Sequence, residues 1–107
     1  MSTGEFAANA ARGESSILIA GRERLLRPTF AVLVAAEEEL GPLFALVERA
    51  GEGKLALCEM ASLFWHCLVD RGSVSRDQVG EAILGHGLSG TAKPLRALLV
   101  QILQGRG

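Results

Sequence analysis

ESSILIAGRERLLRPTFAVLVAAEEELG, residues 14–41, changes its hydrophobic period part-way through, and that change sets the fold class. In its first half Ile17 and Ile19 alternate with Ser16 and Leu18, Gly21 can adopt a positive φ, and Leu25 and Leu26 follow. This reads as a β-hairpin over about 15–20 and 23–27, closed by Gly21-Arg22 as a two-residue turn with glycine first. In that register Ile17 opposes Leu26 and Leu18 opposes Leu25, so both faces carry apolar groups. Two strands alone are marginal in water, so the hairpin must lean on helices, and its free edges are open to a partner strand. From Pro28 the period becomes helical. A first helix over about 29–40 starts at Pro28 or Thr29 and stops at Gly41.

The pattern beyond Gly41 stays helical. Pro42 opens a short second helix to about Ala50, where proline is tolerated at the first position. GEGK (51–54) is a loop, and a third helix runs from about Leu55 to Asp70, ended by Gly72. In VSRDQV (74–79), Ser75 and Gln78 form a capping box, with Val74 and Val79 placed as a hydrophobic staple. That fourth helix should end near Gly85 or Gly87. Leu95, Leu98, Leu99 and Ile102 repeat as the stripe of a last helix, capped by Thr91 so that Pro94 falls in its first turn, and stopped by Gly105. The expected class is α+β, mainly α: an N-terminal β-hairpin followed by four to five short helices. Residues 1–13, small and polar, read as a loose arm before a single domain over 14–105.

Length and composition fit that picture. A chain of 107 residues is one domain and buries roughly two thirds of its unfolded surface. Its 49% hydrophobic and 21% charged residues are a globular profile. Eleven basic against twelve acidic residues give a net charge of −1, with no overall footprint for nucleic acid, and aromatics are too few for base stacking. MSTGEFAANAARGE has neither a basic start nor an apolar run, and no apolar stretch reaches bilayer length. The expectation is a soluble cytoplasmic protein with reduced cysteines.

Candidates for chemistry are few. Cys58 and Cys67 lie nine positions apart, which on one helix is ~13.5 Å along the axis and opposite sides, so they share neither a metal nor a disulfide. Both read as small core fillers. His66 falls in a polar strip with Glu59, Ser62 and Asp70 and reads as a solvated side chain near a helix C-terminus. His86, in Gly-His-Gly, reads as a loop residue. GEGKLA lacks the spacing of a phosphate loop, and no serine sits in a nucleophile elbow. No enzyme activity, metal or cofactor is expected.

The three acids Glu37, Glu38 and Glu39 sit at the negative end of the first helix, which disfavours them. Phe30, Leu33, Val34, Glu37 and Leu40 share one side, so Glu37 lies in an apolar face and needs a partner. Arg12, Arg22, Arg24 and Arg27 surround the hairpin, and Arg24 or Arg27 is the expected partner, with Glu38 and Glu39 left to solvent or another protein. Ala31, Val32, Ala35 and Ala36 make the opposite side nearly uncharged. That side is covered either by the protein's own helices or by another chain.

ANAARGE (8–14), AGRERLLRPTF (20–30), the acidic run closing in ELG (39–41), LFALVERAGEGKLAL (43–57), SRDQVGEAI (75–83) and LRALLVQILQG (95–105) together resemble the tail protein family of gene transfer agents and related prophages. The resemblance covers roughly residues 8–105 and rests on short motifs carried by Asn9, Arg12, Gly13, Glu14, Gly21, Arg27, Thr29, Phe30, Glu37, Leu40 and Gly41. It implies a non-enzymatic protein of phage-tail assembly, in a family described both as a tail tube protein and as a tail assembly chaperone. The chaperone role, binding tape-measure and tube proteins, is the expectation, because one hairpin is little β-structure for a tube wall. The alternatives are a tube or minor tail component, or a bacterial helical adaptor. Residues singled out for scaffold or partner contacts are Arg12, Glu14, Arg24, Arg27, Phe30, Val32, Glu37, Leu40 and Gly41, and the expected partners are tail proteins or a second copy.

Overall fold

The computed structural model describes residues 15–104. The order is β1 (Ser15–Ile19), β2 (Arg22–Leu26), α1 (Phe30–Leu40), α2 (Leu43–Gly51), α3 (Leu57–Cys67), a 3₁₀ turn (Arg71–Ser73) and α4 (Arg76–Gln104). The chain is thus α+β and mainly α, as the period change implies. The expected arm over 1–13, with Asn9, Arg12 and Gly13, lies outside the described residues, as do Glu14 and Gly105.

The hairpin forms with a register two residues away from the expected one. Ser15 pairs with Leu26, Ile17 with Arg24, Leu18 with Glu23 and Ile19 with Arg22. The loop is therefore Ala20-Gly21, both at positive φ (54° and 80°), as a type I′ turn requires. A slip of two leaves side-chain parity unchanged, so Ile17, Ile19 and Leu26 still face inward while Leu18 is exposed. Contacts outside the hairpin accompany this register. Leu26 bridges to Leu68, the Arg27 N–H donates to the Cys67 carbonyl (2.7 Å), and the Val69 N–H donates to the Leu25 carbonyl (3.0 Å). These bonds also explain why α3 ends at Cys67 rather than near Asp70: the chain turns extended at Leu68 and lies along the outer edge of β2. That edge is occupied over residues 68–69.

Thr29 caps α1 by accepting the Val32 N–H, and Gly41 ends it at φ 86° and ψ −175°, a conformation open to little but glycine. The buried side of α1 differs from the expected one. Ala36 is fully buried, Val32, Leu33 and Leu40 pack against the core, and Phe30 and Val34 point outward. The Ser75–Gln78 capping box forms in both directions, at 3.1 and 2.9 Å, with Val74 and Val79 buried beside it. Gly87 breaks the geometry inside α4 (φ 80°, ψ 157°), close to the expected stop. The second half resumes at once, so Thr91 is no cap. It is buried, and its hydroxyl donates back to the Gly87 carbonyl at 2.9 Å.

The core joins hairpin and helices: Ile19 and Leu26, Leu46 of α2, Leu63 and Phe64 of α3, and Ile83 and Leu98 of α4 are at most 1% exposed. α3 lies between α1 and the first half of α4, and β1 packs against α4. Two glycine-to-alanine changes should have opposite signs in chemical denaturation. Gly41→Ala should lose about 1–3 kcal/mol through forced backbone strain. Gly80→Ala, in a helical position whose Cβ would meet nothing within 4 Å, should gain up to about 1 kcal/mol.

Candidate functional site

Two oppositely charged groups meet where α1 ends and α4 begins. Glu39, in the last turn of α1, takes Arg76 Nη1 on Oε2, with Ser62 Oγ donating to the same oxygen at 3.2 Å. Its other oxygen, Oε1, lies 2.8 Å from His66 Nε2. Ser62 and His66 are one turn apart on α3, so a single carboxylate ties three helices together. Arg76 also stacks over the Trp65 ring at 4.5 Å, with Arg71 at 5.8 Å, and Trp65 Nε1 donates to the Val74 carbonyl at 2.8 Å. The Arg76 and His66 hydrogen bonds outweigh desolvation and hold the Glu39 carboxyl at about 2. His66, expected in solvent, is instead buried, and Glu39, expected at solvent or a partner, is the hub. The pairing of Glu39 with Arg76 was partly visible in sequence, since an acid at a helix C-terminus and a base at a helix N-terminus both require something else nearby; the burial of His66, a base at the favourable C-terminal end of α3, was not.

The other charged candidates also hold the scaffold. Arg24 is buried and donates through Nη1 to Asp70 Oδ2 at 2.7 Å, not to Glu37. Burial pushes the Asp70 carboxyl up, but the Arg24 guanidinium and Ser73 more than offset it and leave it below its usual range. Glu37 Oε2 accepts the Leu43 N–H at 3.0 Å and so caps α2, where negative charge is favoured. Arg49 pairs with Glu59 at 2.7 Å, and the same Glu59 oxygen accepts the Ala56 N–H, fixing the start of α3 to the end of α2. Arg27 joins the hairpin to α3 through its backbone. Of the two thiols only Cys67 fills core, where burial pushes it up to about 12; Cys58 is exposed. His86 is exposed, with Nε2 2.8 Å from the Leu18 carbonyl, a contact between α4 and β1 that sequence did not suggest. Among the described residues no group of three or more acids, histidines and cysteines is placed to hold a metal, and no helix is long and apolar enough to cross a membrane.

Several large apolar side chains remain exposed. Phe30 is 84% exposed and Phe44 70%, with Val34 one turn from Phe30 on α1. A cleft of about 600 Å³ opens between α3 and the first half of α4, with Leu57, Cys58, Ala61, Gly80 and Leu84 among its lining. A second hollow of about 390 Å³ lies between the end of α2 and the second half of α4, with Val47, Ala50, Leu95 and Leu99 in its walls.

A family model described as "Phage tail tube protein, GTA-gp10" matches residues 12–105. The chain belongs to that family. No curated protein and no solved structure is significantly similar to it. The match spans every element from β1 to α4, so this tail protein carries its family's fold over nearly its whole length. It is a tail-tube-type protein of a phage or gene transfer agent. Membership of a tail tube family fits the tube-component alternative better than the chaperone role expected from sequence. Of the motif residues, Thr29 and Gly41 bound α1, Gly21 closes the hairpin, Glu37 caps α2 and Leu40 packs on the core, whereas Phe30 faces outward.

Because the folded Glu39 carboxyl is lowered, its contribution is complete above its ordinary value of 4.5 and is lost as pH falls toward 2. Thermal unfolding followed by Trp65 fluorescence should therefore show a decline through that window. In Glu39→Gln the decline should be shallower and the midpoint near neutrality lower.

Proposed function

We propose that this tail protein carries out no chemical reaction and works by presenting apolar surface to other proteins of a phage-like tail, as a lasting component of the tube. The family match over residues 12–105 carries this reading. The outward Phe30 and Phe44 support it, since aromatic side chains at such exposure are enriched where proteins meet. The charged groups of the network centred on Glu39 are engaged with one another in holding helices, which leaves contact rather than catalysis as their use.

A second reading is favoured by the architecture itself. Among the described residues one two-stranded sheet, with the β2 edge already occupied by residues 68–69, is little material for a wall of continuous sheet. A mainly helical chain with exposed apolar faces suits a chaperone that covers tape-measure or tube subunits and then leaves. The two readings differ in one measurable quantity, the amount of this protein in finished particles. Quantitative mass spectrometry of purified particles should find it in a fixed ratio to the other tail proteins if it is a component. Absence from particles whose assembly nevertheless requires the gene would instead establish the chaperone. Normal tails in its absence would overturn both. In a tagged chain, Phe30→Ser with Phe44→Ser should leave the fold intact and reduce co-purification of tail proteins at least tenfold.

A further inference from the structure

The cleft between α3 and the first half of α4 has a charged end and an apolar end. Arg76, whose charge is met by Glu39, lies with Asp77 and Glu81 toward the start of α4, and Leu84 with Leu57 lines the rest, so the acids Asp77 and Glu81 are the unpaired charges of the cleft. Gly80 forms part of the floor. It is an ordinary helical position with open space where a side chain would sit, so its lack of a side chain is not required by the fold. Neither Asp77 nor Glu81 has an ion-pair partner among the described residues.

The second half of the same helix carries the complement. Lys93, Arg96, Val100 and Leu103 follow at spacings of three, four and three, which places them on one side of the helix. All four are exposed, and neither base has an ion-pair partner among the described residues. Along both halves the order from N- to C-terminus is charge, charge, apolar. Laid parallel, Lys93 of one copy falls over Asp77 of another, Arg96 over Glu81 and Val100 over Leu84, at a nearly constant offset of 15 or 16 residues.

We infer that the cleft is the docking site for the second half of α4 of another copy of this chain. The interface is heterologous: each copy uses its cleft for one neighbour and its basic stripe for the next. Association of this kind closes into a ring or continues as a filament. The inference rests on the proposal that the protein works through protein contact, and names a second copy as one partner.

Sedimentation velocity of the full chain over a concentration series at low ionic strength tests it. Species well above the 11.3 kDa monomer should grow with concentration and shrink as salt rises. Gly80→Leu should plug the cleft, and Lys93→Glu with Arg96→Glu should reverse the stripe; each variant alone should stay monomeric. Mixed in equal amounts they should form dimers and nothing larger, because one intact cleft meets one intact stripe. Asp77→Lys with Glu81→Lys should also stay monomeric alone, and mixed with the reversed-stripe variant should restore association beyond the dimer, because both interfaces then pair opposite charges; this guards against a Gly80→Leu chain that folds poorly. Alkylation of Cys58 in the cleft should slow at least tenfold in the associated wild type. A monomer at all concentrations, or self-association untouched by these changes, would overturn the inference, as would a cleft that binds only an added basic amphipathic peptide. Presence in particles without self-association would leave the tail proposal standing, and self-association without presence in particles would do the reverse.

Discussion

Glu39 and Arg76 each occupy the unfavourable end of a helix, an acid in the last turn of α1 and a base in the first turn of α4. Such mismatches disfavour each helix by about 0.3–1 kcal/mol. Their ion pair, at 36% and 43% side-chain exposure, is screened to about 0–1 kcal/mol. These two terms nearly cancel, so the net stability Glu39 adds comes mainly from its bonds to Ser62 and His66. The network's consequence is geometric. α1 is apolar almost all round, and burial alone does not choose which side faces inward. A carboxylate that must reach Arg76, Ser62 and His66 together leaves one azimuth, with Ala36 inside and Phe30 outside. The exposed aromatic surface of this tail protein is therefore a result of where its polar anchor sits.

The same reasoning accounts for what the sequence made legible. Features governed by neighbours within a few residues came through: the Thr29 cap, the Gly41 stop, the Ser75–Gln78 box and the break near Gly87 each follow from local backbone chemistry. The hairpin was legible in kind and in facing, because alternation fixes parity. Its register was not, since two pairings with the same parity bury the same side chains. The bonds from residues 67–69 to residues 25–27 involve a segment 40 or more positions away, which no local pattern can announce.

Charged partners failed for the same reason. Glu37 was placed correctly as a carboxylate in need of a donor, but the donor is a backbone N–H six residues on, at the start of α2. A search among side chains was bound to miss it. Arg24 found Asp70, 46 positions away, because the extended stretch after α3 runs beside β2 and brings that carboxylate within reach. His66 read as solvated on helix spacing alone. In the fold Ser62 and His66, from that strip, meet Glu39 of α1, so they line an interface between helices rather than a wet surface.

The break at Gly87 determines how one helical sequence comes to carry two surfaces of opposite charge. A straight helix over Arg76–Gln104 would present Asp77 and Glu81 along one continuous rod with Lys93 and Arg96. Within a single chain the acids and bases would still stand too far apart to pair, at ~1.5 Å per residue over more than ten residues. With the chain turned at Gly87, the first half of α4 packs on α3 and leaves its acidic edge facing the cleft. The second half buries Thr91 and Leu98 and leaves Lys93 and Arg96 exposed, with Arg96 also lining the hollow beside α2. His86, adjoining the break, reaches the Leu18 carbonyl and so couples the bend to the hairpin. Neither charged edge can satisfy the other inside one molecule, and that intramolecular mismatch is what leaves both open to an intermolecular match.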